Sequence, residues 1–343
     1  MTIEILNPLE IPNWDDLVLA TGKGSFFHSA AWAKVLSESY GYKPLYFTST
    51  DNGKLSGLIP IMEVKSYLTG TRGVSLPFTD FCQPIVSVRN QFREMVSQAT
   101  KYGKEAGWKY FEWRGGETYC QNRTPSNVYY GHILDIGQNE DELLKSYRNS
   151  TMRNIRKAVK EGVHVRISNS MESVKAFYRL NCITKKRHGL PPQPFYFFNA
   201  LFEHIISKSK GVVVIASYQK RDVAGAVFLH FGDRAYFKYG ASDMVYHAHR
   251  PNNLVLGKAI EFYANNGFRF FDFGRTDPEN EGLLQFKKGW GTKKITIKYY
   301  RYDLKKNEYL QENSRVNMFS KLFKKTPIPL LNLTGYLLYK HAG

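Results

Sequence analysis

The residues best placed for chemistry follow one aromatic stretch, GFRFFDFGRTDPENEGLLQFKKGWG at residues 267–291. Phe268, Phe270, Phe271 and Phe273, with Arg269 and Asp272 between them, predict a strand buried on at least one face and so central in a sheet. Gly274, Arg275 and Thr276 fall where it ends. Asp277-Pro278-Glu279 supplies an N-cap, a helix-compatible proline and first-turn acid, so a helix is expected from Pro278 through Phe286 to Lys287-Lys288, stopping at Gly289. Polar groups at the carboxyl end of a buried strand are where α/β sheets place ligands. A lysine delivered there, Lys287, can serve as a fixed cation; alternatively Lys287 and Lys288 merely complement the helix dipole.

Other residues could do chemistry elsewhere. Asp80 lies between two phenylalanines, Phe78 and Phe81, as a turn cap or a site residue. Arg153, Lys157 and Lys160 share one face of an expected helix, while Met152, Ile155 and Val159 share another. That basic face suits phosphate binding or is a solvated surface. Pro251 stands where a helix begins, so Asn252 and Asn253 mark free N–H groups able to hold an anion. Ser242, among the small polar residues closing AYFKYGAS, and Arg275 complete the candidate binding set. His247 and His249 could suggest a metal pair but have no third ligand nearby, and no metal is expected.

The elements positioning these residues repeat. Gly107-Trp108-Lys109-Tyr110-Phe111-Glu112-Trp113 matches Gly267-Phe268-Arg269-Phe270-Phe271-Asp272-Phe273 in chemical type at every position. Each follows an amphipathic helix, and each helix follows a hairpin, GKLSGLIPIMEV in one case and RDVAGAVFLHFGDRAYFKYGAS in the other. Pro60 marks the first hairpin's second strand as an edge or a bulge. Two units of helix, hairpin, helix and strand fit a tandem duplication in an α/β fold with mixed α+β sheets. The expected domains are 1–137 and 138–305, the second opening on a linker helix at 138–161, followed by a basic and aromatic extension at 306–343. That extension mixes Lys321, Lys324 and Lys325 with Phe319, Phe323, Leu330, Leu331, Tyr336 and Tyr339.

A chain of 343 residues suits two domains. Hydrophobic content of 43%, with 15% aromatic, is globular, and no apolar run approaches the ~18 residues a membrane span needs. The start, MTIEILNPLEIPNWDDL, does not read as a secretion signal. The expected address is therefore cytoplasmic, with peripheral contact at the inner membrane face as an alternative. Cys82, Cys120 and Cys182 have no metal-ligand spacing and read as reduced bystanders. A net charge of +18 favours polyanionic partners such as RNA, nucleotide phosphates or an anionic membrane. Double-stranded DNA is not among the expected partners.

From about residue 25 to 300 the chain resembles the FemAB-like aminoacyltransferases, the peptidoglycan bridge-forming family within the GNAT acyltransferase superfamily. The most specific part is FKYGASDMVYHAHRPNNLVLGKAIEFYANNGFRFFDFGRTDPENEGLLQFKKGWG. The resemblance implies two tandem GNAT-like acyltransferase domains that move an aminoacyl group from aminoacyl-tRNA onto an amine of a cell-envelope precursor, typically a peptidoglycan peptide. It implies Lys287, with Phe286 before it, as the lysine near the developing oxyanion, and Tyr239 as a substrate-contacting tyrosine. Lys34, Phe78 and Asp80 then belong to the acceptor side, with Asp80 a candidate to accept the amine's proton. The chain departs from the pattern twice. It lacks the paired-helix arm that some FemAB proteins insert, and HRPNN stands where ordinary GNAT enzymes carry a Gly-rich pyrophosphate loop. Two other readings are acyl-CoA-dependent N-acylation of an amino sugar or polysaccharide precursor, and a non-catalytic RNA- or envelope-binding module.

Overall fold

The computed structural model describes residues 2–120, 123–311 and 320–343, and the chain divides into two compact units. Unit 1 comprises Met1–Tyr129, Thr296–Arg315 and Leu338–Gly343. Its strands are β1 (Glu4–Leu6), β2 (Lys43–Asp51), β3 (Lys54–Val64), β4 (Arg72–Val74) and β5 (Tyr110–Arg114), joined by the antiparallel strand Lys293–Asp303 beside β5. Pairing is antiparallel from β1 to β4 and parallel between β4 and β5. Pro60 is tolerated because β4 pairs only with Met62–Val64, so in its neighbourhood β3 bonds mainly to β2. Alternation sends Phe47, Ile59, Ile61, Phe111 and Trp113 into one core, closed by Phe92, Met95 and Ala99 of the helix Arg89–Glu105.

Unit 2 comprises Tyr130–Ile295 and Val316–Leu337. It contains β6 (Asn127–Asp135), β7 (His164–Ser168), β8 (Gly211–Tyr218), β9 (Arg221–Phe231), β10 (Arg234–Ser242) and β11 (Phe270–Thr276); the strand Lys293–Asp303 is β12. Here β7 to β10 are antiparallel in sequence order, β10 and β11 run parallel, and β6 lies antiparallel to β11. The strand order of unit 1 therefore recurs. Phe111 and Phe271 hold equivalent places, the first paired with Gly73 of β4 and the second with Ala235 of β10. The core joins Phe228, Phe271, Phe273 and Trp290 to Leu254, Ile260 and Tyr263 of the helix Pro251–Asn265.

Several expectations change. The sixth strand of each unit comes from the sequence following the other unit's fifth strand: β6 follows β5 but pairs with β11, and β12 follows β11 but pairs with β5. The boundaries at 137 and 305 are accordingly replaced, because the described chain from Thr296 to Gln311 belongs to unit 1. The extension at 306–343 is shared between the units rather than separate, and Phe319 lies outside the described residues. The expected linker helix is two helices, Glu140–Ser146 and Asn149–Lys160. They break where Tyr147 buries its ring against Trp290 and the Arg148 amide donates to the Gly289 carbonyl, 2.9 Å away. Met152 and Ile155 pack on the core, whereas Val159 is 58% exposed.

Candidate active site

The second unit builds its site where β10 and β11 stop pairing. They share bonds only from Arg234↔Phe270 to Tyr236↔Asp272. Just beyond, β10 shifts register against β9 between Phe237 and Tyr239, and β11 shifts against β6 between Asp272 and Arg275. A bulge on each strand bends the pair apart at its carboxyl end. Gly274 sits in the second bulge with φ +67°, a conformation glycine adopts without strain, and its amide donates to Asp272 Oδ1 over 2.8 Å.

The helix that follows returns to this bulge. It spans Glu281–Lys288 rather than starting at Pro278, because Asn280, not Asp277, caps it: Asn280 Oδ1 accepts from the Leu283 amide at 3.1 Å. Asp277 instead closes a turn by accepting from the Glu279 amide. The C-terminal end is fixed by the Gly289 carbonyl, which accepts from the Arg148 amide and from Thr151 Oγ1. At Gly291, φ is +75° and a side chain would collide with the Ser146 backbone. So held, the helix places Lys287, only 2% exposed, with Nζ donating to the carbonyls of Gly274 at 2.9 Å and Arg275 at 3.2 Å. Lys287 thus bonds the strand end rather than its own helix's last carbonyls. Lys288 points to solvent.

Two buried polar groups near this ammonium lie outside the set of candidate site residues, although Thr276 was expected at the strand end. His132 lies on β6 opposite the bulge, between the pairs Gly131↔Arg275 and Ile133↔Asp272. It is buried, and its Nδ1 has no hydrogen-bond partner among the described residues. Burial, with the charges of Lys287 and Lys294 added, pulls its pKa down to about 4, so it is neutral at pH 7. Thr276 ends β11, buried, with Oγ1 likewise unpartnered. Buried polar atoms are nearly always satisfied, so groups left open beside a fixed cation are where a ligand's polar atoms belong. The signal for His132 was a lone histidine in the half-apolar run NVYYGHILD, which was not read as a strand.

The remaining candidates disperse. Ser242 is knitted into the fold: Thr184 Oγ1 donates to its carbonyl and accepts from its amide, Asn252 Nδ2 donates to its hydroxyl, and His247 Nε2 lies 2.8 Å from that hydroxyl. Asn253 is buried, its amide donating to the Arg250 carbonyl over 3.1 Å. His249 Nδ1 instead lies 2.5 Å from Glu161, so His247 and His249 serve different partners. Arg153 is exposed, and Lys157 pairs with Glu161 at 3.4 Å, which puts an acid into the expected basic wall. Tyr239 packs its ring against Phe197 and Phe198. Phe286 meets Trp290 edge-on, and the Arg275 side chain is exposed. In unit 1, Lys34 pairs with Glu38 at 2.9 Å on an exposed helix face. Phe78, with φ +58°, packs against Tyr40 and Tyr339, and the carbonyl of half-buried Asp80 accepts from the Tyr299 hydroxyl at 2.6 Å.

This arrangement defines the class. Residues 145–288 match the acetyltransferase (GNAT) domain family. The chain has the fold of FemX, with a TM-score of 0.67 at 16% identity over 87% of this chain and 96% of that one. It also has that of a tandem GNAT protein from the clavulanic acid biosynthesis pathway, with a TM-score of 0.59 at 10% identity over 88% and 98%. The fold is therefore that of a tandem GNAT protein. Among sequence relatives is a lipid II:glycine glycyltransferase of Staphylococcus epidermidis, 22% identical in an alignment 265 positions long that covers 57% of this chain. The match covers 62% of that relative, so the chain spans about three-fifths of its length.

Proposed function

We propose that the protein transfers an aminoacyl group to an amine of a peptidoglycan-type cell-envelope precursor, with aminoacyl-tRNA as donor. The observation carrying this reading is buried Lys287, held at the β11 bulge beside the open polar atoms of His132 and Thr276. In aminolysis of an ester, the amine nitrogen bonds to the carbonyl carbon and the carbonyl oxygen becomes anionic. Collapse then expels the ester oxygen, which leaves as a hydroxyl after taking up a proton. A cation fixed in a water-poor setting stabilises the oxyanion without reorganising. Lys287 fills that role, with Thr276 and His132 orienting the ester. Tyr239, Ser242, Asn252, Asn253, Arg275 and Phe286 support donor binding; Arg153 and Lys157 add positive charge for its phosphates. Lys34, Phe78 and Asp80 are proposed acceptor-side residues, Asp80 accepting the amine's proton.

One observation favours tRNA over acyl-CoA. A pyrophosphate loop presents consecutive open amides, whereas here Arg250 precedes the helix with φ +57° and takes up the Asn253 amide with its carbonyl. The lipid II acceptor named for the relative suggests a lipid-linked precursor here and a working place at the inner membrane face. The test incubates the protein and a precursor peptide bearing a free amine with aminoacyl-tRNA or with acyl-CoA, following loss of ester or thioester. Amide formation from charged tRNA supports the reading. Thioester consumption alone supports N-acylation, and silence with both supports the binding module.

A further inference from the structure

The segment closing unit 2 carries an apolar stripe that its own unit leaves uncovered. The helix Ile328–Leu338 is anchored on one side by fully buried Leu331 and by Gly335, which packs so closely on the Pro192 carbonyl that no side chain fits there. Asn332 Oδ1 accepts from Cys182 on the same side, and Tyr336 meets Tyr196 edge-on at its border. The opposite side shows Leu330 at 55%, Leu333 at 55% and Leu337 at 53% exposure. Spaced i, i+3 and i+7, these leucines form one continuous stripe. Exposed Tyr336 flanks it, and the preceding helix Ser320–Lys325 adds exposed Leu322 together with exposed Lys321, Lys324 and Lys325.

We propose that this face docks on an anionic lipid bilayer, the leucines entering the headgroup boundary and the lysines meeting lipid phosphates. Scattered surface leucines need no explanation, but a stripe of them on one apolar helix, with an exposed tyrosine beside it and lysines on the helix before it, supplies the apolar and cationic groups of a bilayer-surface contact. Stable attachment takes two signals, and apolar stripe and basic cluster supply both in one stretch. Among the described residues no helix is long and apolar enough to cross a membrane, so the contact lies in the plane of the bilayer. The inference rests on the proposed lipid-linked acceptor for its use, though binding is measured without turnover.

The experiment co-sediments the full chain with vesicles of phosphatidylcholine alone and of phosphatidylcholine mixed with phosphatidylglycerol. Binding to the mixed vesicles is expected, weakened about tenfold or more both by Leu333→Glu with Leu337→Glu and by Lys321→Glu with Lys324→Glu. These side chains are exposed, and near-ultraviolet circular dichroism checks that folding is unchanged. Equal binding by wild type and the leucine variant overturns the proposal, as does a wild-type dimer in light scattering that the leucine variant makes monomeric, which assigns the face to a second copy. Turnover on a soluble precursor peptide separates the readings. Lost vesicle binding with intact turnover removes only this inference, whereas intact binding with no turnover from any donor removes the transfer reaction.

Discussion

The two units share a strand order, and their fifth strands can be compared residue by residue. Glu112 of β5 stands where Asp272 stands in β11. In unit 1 the acid is buried and pinned by two guanidiniums, Arg114 at 3.1 Å and Arg301 at 2.6 Å. Arg114 also donates to the carbonyls of Leu76 and Thr79, so the loop after β4 is tied to the strand end. Burial alone would raise the Glu112 pKa, but the two arginines outweigh it and hold the carboxyl below the usual range. In unit 2 Gly274 stands at the position of Arg114 and makes a bulge, Lys287 arrives from the next helix, and His132 and Thr276 keep buried atoms without partners among the described residues. The same topology carries an acid held by two guanidiniums in unit 1 and a buried lysine among open polar groups in unit 2. In unit 2 the open atoms lie beside a buried ammonium, whereas in unit 1 Ser75 Oγ and Trp113 Nε1 are open near an acid that already has two cationic partners.

The sharpest way to break this contrast is to exchange roles. Lys287→Ala should lower turnover with its true donor by roughly 10²-fold or more, while stability falls by about 1 kcal/mol because the Gly274 and Arg275 carbonyls lose their donor. Lys287→Arg should not rescue fully, since a planar fork cannot reproduce a point charge. Exposed Lys288→Ala should be nearly silent. Steady-state kinetics on variants of confirmed fold decides, and near-normal turnover of Lys287→Ala would return the lysine to a structural role. In unit 1, Arg114→Ala should do the reverse. It should cost about 2–4 kcal/mol in denaturant unfolding, softened by the remaining Arg301, and leave turnover per folded molecule unchanged. A large turnover loss there, at constant fold, would mean the first unit also does chemistry at this position.

Local signals carried much of this contrast into the sequence. The aromatic repeat placed β5 and β11, and Pro251 marked a helix start found where expected. Lys287 was legible because it follows a buried strand at one helix's distance. What the sequence hid depends on partners far along the chain. The exchange of β6 and β12 has no local mark, since either strand could pair with either neighbour. Asn280 outcompeted Asp277 as a cap, although both are good capping types. Tyr147 broke an otherwise continuous helical pattern because a ring buried against Trp290 outweighs a turn of helix. Glu112 was visible as a type, but that Arg114 and Arg301 satisfy it is a tertiary fact. Arg153 and Lys157 are candidates for charge on a shared helical face and Lys34 for the family resemblance, and neither signal reports depth.

A smaller effect of pH has a source in each unit. His132 has a folded pKa near 4, below the unfolded value near 6.5, so the unfolded state binds the extra proton as pH falls between these values. Its contribution is fully present above pH 6.5 and is lost progressively towards pH 4, up to about 3 kcal/mol. His28 in unit 1 is buried and also lowered to about 4, chiefly by burial, so wild-type acid lability has a source in each unit. His132→Gln should remove part of the slope of stability against pH in this window, and His28→Gln a separate part. Glu112 acts lower: its depressed pKa makes its contribution present above the unfolded value and lost as pH falls through the folded one. Unfolding free energies measured across pH 4 to 7 on each variant give the slopes, and an unchanged slope for His132→Gln would deny that this imidazole is held neutral by its site.

The finest test falls on Thr276, where structure and function predict opposite signs. Its hydroxyl is buried without a partner among the described residues, so Thr276→Val, which keeps the shape, should raise stability without substrate by about 1 kcal/mol. If the open hydroxyl is there for the substrate's ester, the same variant should lose about tenfold in turnover, the worth of one neutral hydrogen bond made in the transition state. Thermal unfolding and single-turnover kinetics on one preparation give both signs. Gain in stability with loss in rate means that the second unit keeps an unsatisfied group in order to bind. Gain in stability with unchanged rate means that Thr276 is a tolerated defect, and the contrast between the units then rests on Lys287 and His132.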